Sequence, residues 1–289
     1  MQKKEEKMYS ALLVIIYLAF ISLGLPDTLL GSAWPQMHIE LNASLSSAGI
    51  ITMIISLGTV ISSLFSDRLN IKLGTGKVTA ISVLMTAVAL IGFSLSHSFI
   101  ILCVLAVPYG LGAGAVDAAL NNYVALHYSS KHMSWLHCFW GVGASIGPYI
   151  IGTCMAHGLG WRGGYSVISV LQFTLTVALF ITLPLWKKVE NNKNNVSNGN
   201  NESTQEEPQE RKAKSFSEVL HIKGVIYILF AFFCYSAVEQ TTTLWCASYL
   251  VLNRSIDSNT AAKFAALFYI GITFGRFLCG FIADKLGDK

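Results

Sequence analysis

Eight apolar stretches, each long enough to cross a lipid bilayer, constrain the fold of this 289-residue chain more than any other feature. A helix needs about 20 apolar residues to span the hydrocarbon core. The stretches are continuously apolar, without the two-residue alternation of outer-membrane barrel strands. They lie at 9–31, 45–66, 76–96, 98–125, 134–157, 163–185, 224–250 and 258–282. The sequence therefore predicts an all-α polytopic membrane protein.

The distribution of charge predicts the orientation of these stretches. Only 12% of the residues are charged and the mean hydropathy is +0.54, whereas soluble domains carry about 25% charged residues. Lysine and arginine concentrate at the N-terminus, at 67–77, at 126–133, at 186–223 and at the C-terminal end. By the positive-inside rule these segments are cytoplasmic. We therefore expect a multi-pass protein of the cell membrane with both termini in the cytoplasm.

A polar segment divides the chain into three parts. Residues 190–210 are rich in asparagine, glutamine and glutamate and have little apolar surface to bury, which is typical of disorder. The stretch from Phe216 to Lys223 has the pattern of a short amphipathic helix at the membrane surface. The predicted domains are a six-helix bundle (1–189), a cytoplasmic disordered linker (190–223) and a partial second bundle of two spans (224–289).

Two similar turns indicate an internal repeat. Asp67-Arg68 and a basic, glycine-containing turn follow the second stretch, and Asp284-Lys285 with a similar turn follows the eighth. Repeated halves are typical of secondary transporters, whose solute site lies between the halves. If the seventh stretch begins the second copy, that copy holds two spans of an expected six. The sequence thus predicts a chain truncated after its eighth span. One alternative is a membrane fragment that transports nothing.

Asp117 is an acid within an apolar, glycine-rich stretch. A charge at membrane depth costs about 2.5–3.5 kcal/mol on insertion scales, so such residues usually face a cavity or a partner. Asp117 and Asn121 are four residues apart and share one helix face. Burial favours the neutral form of a carboxylate, which permits proton exchange near neutral pH. We predict that Asp117 couples proton movement to transport; the alternative is a hydrogen bond that only packs helices.

Two further acids extend the predicted proton-coupling set. Glu239 lies midway along the seventh stretch, where the argument for Asp117 applies again. Asp27 follows Pro26 near the outer end of its stretch, a position in which it can cap a broken turn; its place in the set comes from a family resemblance given below. Polar and aromatic side chains suited to a solute cavity form the predicted binding set. This set is Asn121, Asn122, Tyr123, Gln240, Trp135 and Trp245. Trp135, near a span end, has the alternative role of an interfacial anchor.

The turn from Gly280 to Lys289 resembles the loop signature of the major facilitator superfamily, and Asp67-Arg68 resembles it less closely because Ser63 and Asn70 replace glycines. In that family the loop locks the cytoplasmic ends of two helix bundles. The resemblance implies gating roles for Asp67, Arg68, Arg276 and Asp284. An acid–base pair at a moving helix end can form in one state and break in the other. The alternative is that the bases bind anionic lipid headgroups.

A narrower resemblance lies in the first and fourth stretches. The strings that contain Asp27 and the Asp117–Asn121 pair are similar to the fucose-permease-type sugar:proton symporter branch. That likeness implies that Asp27 is a proton-linked or structural acid, that Asp117 is the coupling carboxylate and that Asn121 is a partner for sugar hydroxyls. The chain departs from that branch at 117, where aspartate replaces glutamate, and at 122, where asparagine replaces proline.

No motif of an enzyme, of a metal or cofactor site or of a nucleic-acid surface is present in the sequence. The six cysteines lie in apolar stretches without metal-ligand spacing. The expected partners are therefore a small-molecule solute, a proton and the lipid bilayer. The predicted function is proton-coupled uptake of a small polar solute, with a sugar expected, by alternating access. Efflux antiport is the alternative within transport.

Overall fold

The computed structural model describes residues 2–199 and 220–286, with the side chains of 8–129, 131–189, 220–279 and 281. Every regular element in these residues is an α-helix. The helices are α1 (Gln2–Asp27), α2 (Leu29–Glu40), α3 (Ser47–Leu73), α4 (Thr75–Leu95), α5 (Phe99–His127), α6 (Ser130–Ala156), α7 (Gly160–Gly199), α8 (Val225–Arg254) and α9 (Ser258–Leu286).

Eight segments of the described chain are long and apolar enough to cross a membrane, which confirms the predicted all-helical, multi-pass class. We number them as spans. They are span 1 (Met8–Glu40), span 2 (Ser47–Leu73), span 3 (Thr75–Leu95), span 4 (Phe99–His127), span 5 (Lys131–Ala156), span 6 (Gly160–Val189), span 7 (Val225–Arg254) and span 8 (Ser258–Cys279). Spans 1–6 form one bundle, against which spans 7 and 8 pack.

Several boundaries differ from those predicted. Span 1 continues to Glu40, nine residues beyond its predicted end, because the polar and proline-containing residues after Gly31 stay helical. The predicted turn at 67–77 is almost wholly helical, since only Gly74, with a φ of +81°, separates α3 from α4. Helix α7 is described to Gly199, which lies within the predicted linker. Residues 200–219 of that linker lie outside the described residues.

A proline in span 1 frees a backbone carbonyl, and a neighbouring span binds it. Pro26 has no N–H, so the carbonyl of Ser22 lacks its intrahelical donor. The side-chain amide of Gln172 in span 6 donates to that carbonyl, and the Ser22 hydroxyl donates to Gln172 Oε1 over 2.8 Å. Backbone groups inside a bilayer have no water to bind, so this exchange permits the proline within the span.

Spans 1 and 5 pack closely through glycines. A Cβ on Gly143 or Gly147 would lie 2.0 or 2.4 Å from a backbone oxygen of span 1, so these positions accept no larger residue without displacement. Pro148 frees the carbonyl of Ala144 in span 5, and Thr28 Oγ1 of span 1 donates to it over 3.2 Å. Small residues and interhelical hydrogen bonds thus hold these two spans together.

Spans 2 and 4 are joined in the same way. A Cβ on Gly110 or Gly114 would lie 2.3 Å from a backbone oxygen of span 2. Thr59 Oγ1 and Ser63 Oγ of span 2 donate to the carbonyls of these two glycines over 3.3 and 3.2 Å. The face of span 4 that carries Gly110 and Gly114 is therefore occupied by span 2, which leaves another face for polar groups.

Spans 7 and 8 contact the first bundle at two places. Span 8 packs along span 5: the Cys138 thiol lies 3.7 Å from the carbonyl of Thr273, and the rings of Trp135 and Phe281 lie 6.4 Å apart. Gly31 of span 1 lies against the backbone of span 7. These contacts leave an internal space between the first bundle and the last two spans.

Candidate functional site

A cavity of about 640 Å³ lies among the spans, and all eight contribute side chains to its wall. The three predicted proton-coupling acids, Asp27, Asp117 and Glu239, line this one cavity from spans 1, 4 and 7. Each acid is ten residues or more from both ends of its span, or about 15 Å of helix. Asp117 therefore faces an interior space and not lipid. Gln240 of the predicted binding set lines the cavity as well.

Asp27 lies where span 1 is broken. Helix α1 ends at Asp27 and α2 begins at Leu29, directly after the proline that weakens the last turn of α1. Tyr109 Oη of span 4 donates to Asp27 Oδ1 over 3.0 Å, and Trp140 Nε1 of span 5 donates to Oδ2 over 2.9 Å. Both carboxylate oxygens thus have donors from other spans. Asp27 joins spans 1, 4 and 5 at the cavity wall.

Asp117 has one protein donor. The side-chain amide of Asn121, one turn further along the same helix, donates to Asp117 Oδ1 over 3.0 Å. The shared helix face predicted from the spacing of these residues is therefore present. Asn121 Oδ1 is buried and has no hydrogen-bond partner among the described residues. The pair combines an acid that faces the cavity with an adjacent buried acceptor.

Glu239 faces a cation. Arg276 Nη2 of span 8 lies 3.6 Å from Glu239 Oε1, and it donates to the hydroxyl of Tyr235 over 3.1 Å. The guanidinium carbon lies 4.9 Å from the centroid of the Trp140 ring, a cation–π contact. Because Trp140 also donates to Asp27, one indole connects the acid of span 1 with the base of span 8.

Five members of the predicted binding set are not part of the cavity wall, and one of them, Asn121, is hydrogen-bonded to Asp117 of the wall. Asn122 and Tyr123 follow Asp117 by five and six residues, which places them about 140° and 240° around the helix from it. Asn122 is accordingly exposed on the outside of the bundle, and Tyr123 packs against Trp186 at a ring distance of 5.2 Å. The other two are Trp135, near the end of span 5, and Trp245, which packs against the apolar core.

The predicted gating residues do not form one group. Asp67 and Arg68 are exposed near the end of span 2. Arg276 lines the cavity beside Glu239, one helical turn before Gly280, where the stretch that carries the family resemblance begins. The side chain of Asp284 lies outside the described residues. Gating by Asp67, Arg68 and Asp284 therefore stays a prediction, and the position of Arg276 favours a role in the cavity.

The sequence argument did not single out three aromatic residues of the wall. Tyr109 and Trp140 are the donors to Asp27, and Tyr269 of span 8 hydrogen-bonds to Thr243 of span 7 and meets Trp140 edge-on at a ring distance of 6.2 Å. One feature of the sequence could have indicated the position of Trp140. His137, a histidine within span 5, lines the cavity one turn before Trp140, which places both on one face.

A second arginine–glutamate pair lies far from the cavity, at the ends of spans opposite the N-terminus. Arg162 Nη1 pairs with Glu40 Oε2, and its Nε and Nη2 donate to the carbonyl of Ser96 over 3.3 and 3.1 Å. Trp161 Nε1 donates to the same glutamate oxygen over 3.0 Å. We call these four residues the Arg162 clasp. The clasp ties the end of span 1 to the start of span 6 and to the loop between spans 3 and 4.

The cavity wall carries three carboxylates and one guanidinium, together with His137. Among the residues that the structure describes, no three histidine, cysteine or acidic side chains form a group suited to a metal ion. The charges of the wall can therefore be balanced by ion pairs, by protons or by a bound solute. This chemistry suits the binding of polar solutes and the exchange of protons.

Known proteins resemble this chain over most of its length. The family model of the Major Facilitator Superfamily matches residues 16–289. The chain is 26% identical over 292 residues to the cis,cis-muconate transport protein of Acinetobacter baylyi, across 94% of this chain and 66% of that protein. It is 23% identical over 273 residues to the glucose/mannose transporter of Bacillus subtilis, across 93% of this chain and 65% of that protein.

The fold is also shared with a solved structure. The crystal structure of a bacterial homologue of the human lysosomal transporter Spinster, inward-facing and unoccupied, matches with a TM-score of 0.60 at 16% identity. The match covers 96% of this chain and 63% of that one. The chain thus spans between 63% and 66% of the length of these three proteins. With eight spans, this shared fold and a family model that covers residues 16–289, the chain belongs to the major facilitator superfamily.

Proposed function

We propose that this protein is a secondary transporter that takes up a small polar solute together with a proton, by alternating access. The observation that carries the proposal is the convergence of Asp27, Asp117 and Glu239, from three different spans, on one cavity at membrane depth. Ionisable groups are expensive at that depth and usually serve a solute or proton pathway. The family and the names of its relatives are consistent with transport.

Asp117 is the proposed coupling acid because its surroundings suit both protonation states. Its carboxylate accepts a hydrogen bond from the Asn121 amide. A protonated Asp117 needs an acceptor, and the buried Asn121 Oδ1 has no partner among the described residues. Rotation of the amide exchanges its donor and acceptor ends, so Asn121 can serve either state. Asp27, whose two oxygens already bind donors on other spans, has the more structural role.

The cavity has the composition of a site for a small polar molecule. Its volume of about 640 Å³ lies within the usual range for ligand pockets. Aromatic surfaces from Trp140 and Tyr269 face it together with the amide of Gln240 and hydroxyl groups of spans 2 and 7. Aromatic faces beside hydrogen-bonding groups suit a sugar. The similarity to a glucose/mannose transporter supports that class of solute.

Transport requires the cavity to open to one side at a time. We propose that spans 7 and 8 move against the first bundle, with Asp67, Arg68 and Asp284 acting at the cytoplasmic ends. The basic segments that flank the spans support a cell-membrane protein with both termini in the cytoplasm. An orientation of this kind makes the proton gradient of the cell the driving force for uptake.

The test is uptake of D-glucose and D-glucuronate into proteoliposomes that contain the full chain, driven by an imposed pH gradient that is acidic outside. We expect Asp117→Asn to lower pH-driven uptake by about tenfold or more, equivalent to at least about 1.4 kcal/mol, because the carboxamide cannot carry a proton. Asp117→Glu is the matched control, since it keeps the ionisable group, and it should retain pH-driven uptake.

Three results would contradict the proposal. Uptake by Asp117→Asn with unchanged pH dependence would remove the coupling role of this acid. Accumulation driven only by a gradient that is acidic inside would indicate exchange of solute for protons. No uptake of either solute in either gradient, by protein that remains folded, would overturn transport of sugars and sugar acids.

A further inference from the structure

We propose that Arg276 binds the carboxylate of an acidic solute and that Glu239 is the counter-ion that this solute replaces. The inference rests on the proposed transport function and narrows its solute to small molecules with a carboxylate, such as sugar acids. Its basis is the arrangement of Glu239, Arg276, Tyr235 and Trp140 at the cavity wall.

The contacts of Arg276 occupy only part of its guanidinium group. The hydrogen bond to Tyr235 and the contact with Glu239 both involve Nη2. The 3.6 Å distance to Glu239 exceeds hydrogen-bond length, so the pair is held by charge alone. A guanidinium has five N–H donors and binds a carboxylate through two parallel hydrogen bonds. The edges of a guanidinium that present two parallel N–H donors are Nε with Nη2 and Nη1 with Nη2, and Arg162 uses the first of them on one carbonyl. A solute carboxylate would therefore bind the Nη2–H that now faces Glu239 together with Nε–H or Nη1–H, and so take the place of Glu239.

Arg162, an arginine with a structural role, can be compared with Arg276 by the hydrogen-bond partners of each guanidinium. The side chains of Arg162 and Arg276 are similarly exposed, 29% and 26%, so burial does not distinguish them. Arg162 uses all three of its nitrogens, on Glu40 and on the carbonyl of Ser96. Among the described residues, Arg276 has polar partners on Nη2 alone. Its remaining N–H groups differ from those of Arg162 in facing a cavity and not a protein acceptor.

Trp140 holds the guanidinium in place for such a ligand. The indole is fixed by its hydrogen bond to Asp27, and the guanidinium carbon lies 4.9 Å from its ring centroid. Stacking engages the face of a guanidinium and leaves its edge available for hydrogen bonds in the plane. A solute carboxylate bound to that edge would also place the rest of the molecule against the aromatic part of the wall.

Charge balance links the solute to a proton. The carboxylate of an acidic solute adds one negative charge at Arg276 and takes the place of Glu239 beside it. A proton on Asp117, the proposed coupling acid, cancels that addition, so entry of the solute anion with one proton leaves the charge of the cavity unchanged. The other acids and bases that face this space are Asp27 and His137, with Tyr109, Tyr165 and Tyr269. Tyr235 contacts Arg276 directly.

The test compares two probes that differ in one group. D-glucuronate has a carboxylate where D-glucose has a hydroxymethyl group, so the ratio of their dissociation constants isolates the carboxylate. We expect calorimetry on the purified full chain to show D-glucuronate binding about tenfold more tightly than D-glucose, or better, because hydrogen bonds to charged groups are the strong ones. Arg276→Gln should remove most of this preference, and Arg276→Lys, which keeps the charge but loses the fork, should keep part of it.

Glu239→Gln and Arg254→Gln complete the experiment. The first removes the counter-ion with which the solute competes, so we expect Glu239→Gln to bind D-glucuronate more tightly than the wild type does. Arg254 is exposed at the end of span 7 and contacts Tyr249, so Arg254→Gln makes the same charge change outside the cavity and should have no effect.

The outcomes separate this inference from the proposed function. The inference is wrong if wild-type protein binds both probes equally, or if Arg276→Gln keeps the preference for D-glucuronate. In either case, pH-driven D-glucose uptake that depends on Asp117 would still support the transport function. If Arg276→Gln does not fold, a partial loss of the preference in Arg276→Lys supports the forked contact, and an unchanged preference there overturns it. If wild-type protein shows no pH-driven uptake of either probe, the proposed function itself is contradicted.

Discussion

The Arg162 clasp and the Arg276–Glu239 pair use the same two residue types for different purposes. Arg162, at the start of span 6, bonds through every nitrogen to span 1 and to the loop between spans 3 and 4. Arg276 has a longer ion-pair contact, one hydrogen bond and a cavity beside it. An exposed ion pair contributes little stability by itself, about 0–1 kcal/mol. What distinguishes the two sites is therefore the number of satisfied donors and the presence of a cavity.

The same contrast appears in the tryptophan of each site. Trp161 Nε1 donates to Glu40 and its ring lies under Arg162, at 4.2 Å from ring centroid to guanidinium carbon. Trp140 Nε1 donates to Asp27 and its ring lies under Arg276. In the clasp the tryptophan and the arginine bind the same acid. At the cavity they bind different acids on different spans, so a change at one acid can be transmitted to the other.

The largest expected effect is on transport by the Trp140→Phe variant. Phenylalanine keeps a ring beneath Arg276 but removes the donor to Asp27 Oδ2, which leaves a carboxylate oxygen without its partner. Loss of one partner of such a bond costs about 1–3 kcal/mol, or about fivefold to 150-fold in a rate or affinity. We expect pH-driven uptake into proteoliposomes to fall within that range.

Trp161→Phe is the matched variant in the Arg162 clasp. It removes the indole N–H that donates to Glu40. Glu40 still pairs with Arg162 and still has access to water. We expect uptake to stay within about twofold of wild type. Equal losses in Trp140→Phe and Trp161→Phe would contradict the distinction between the two sites.

An intermediate effect is expected on stability. Arg162→Gln removes hydrogen bonds that join three chain segments, and we expect its free energy of unfolding in detergent to fall by about 1–2 kcal/mol. Arg276→Gln breaks a contact that is longer than a hydrogen bond, and we expect a fall of at most about 0.5 kcal/mol. Chemical denaturation followed by circular dichroism measures both. A larger loss in Arg276→Gln would show that the cavity pair is mainly structural.

The smallest effect concerns Asp257, an acid that belongs to neither site. It lies between spans 7 and 8, where Thr260 N–H donates to its Oδ1 over 2.9 Å at the start of α9. Hydrogen bonds from Thr260 lower the pKa of this exposed carboxyl. A lowered pKa in the folded state stabilises the fold at neutral pH, and this contribution is lost as pH falls through that pKa. We expect a slight loss of thermal stability below about pH 4 that Asp257→Asn lacks.

Much of the fold and part of the site followed from the sequence. Eight apolar stretches predicted the spans because the bilayer permits few alternatives to a helix. Asp117 and Glu239 were predicted to face a cavity or a partner because an acid at membrane depth requires one, and Asp27 joined them through the family resemblance. Asn121 was correctly placed beside Asp117 by helical spacing, whereas Asn122 and Tyr123 were chosen for their chemistry and lie on other faces.

The remaining parts of the site depend on packing between spans. Tyr109 and Trp140 are aromatic residues in apolar helices, and nothing in their local sequence distinguishes a donor to Asp27 from a core residue or an interfacial anchor. Arg276 lies close to a cytoplasmic helix end in the sequence, so its resemblance to a gating residue obscured its position. The packing of span 8 along span 5 places Arg276 over Trp140, and that contact is not encoded in either segment alone.

The central claim is that Asp117 couples solute movement to proton movement. The most direct test is to measure proton movement that is driven by a solute gradient. If a proton gradient drives uptake, a solute gradient must drive proton movement by the same coupling. The proteoliposomes contain a pH-sensitive dye and start with an inward gradient of D-glucuronate or D-glucose and no pH difference. The dye should report acidification inside wild-type proteoliposomes. Asp117→Asn should cause no acidification although it still binds the solute. Equal acidification by Asp117→Asn and wild type would contradict the claim.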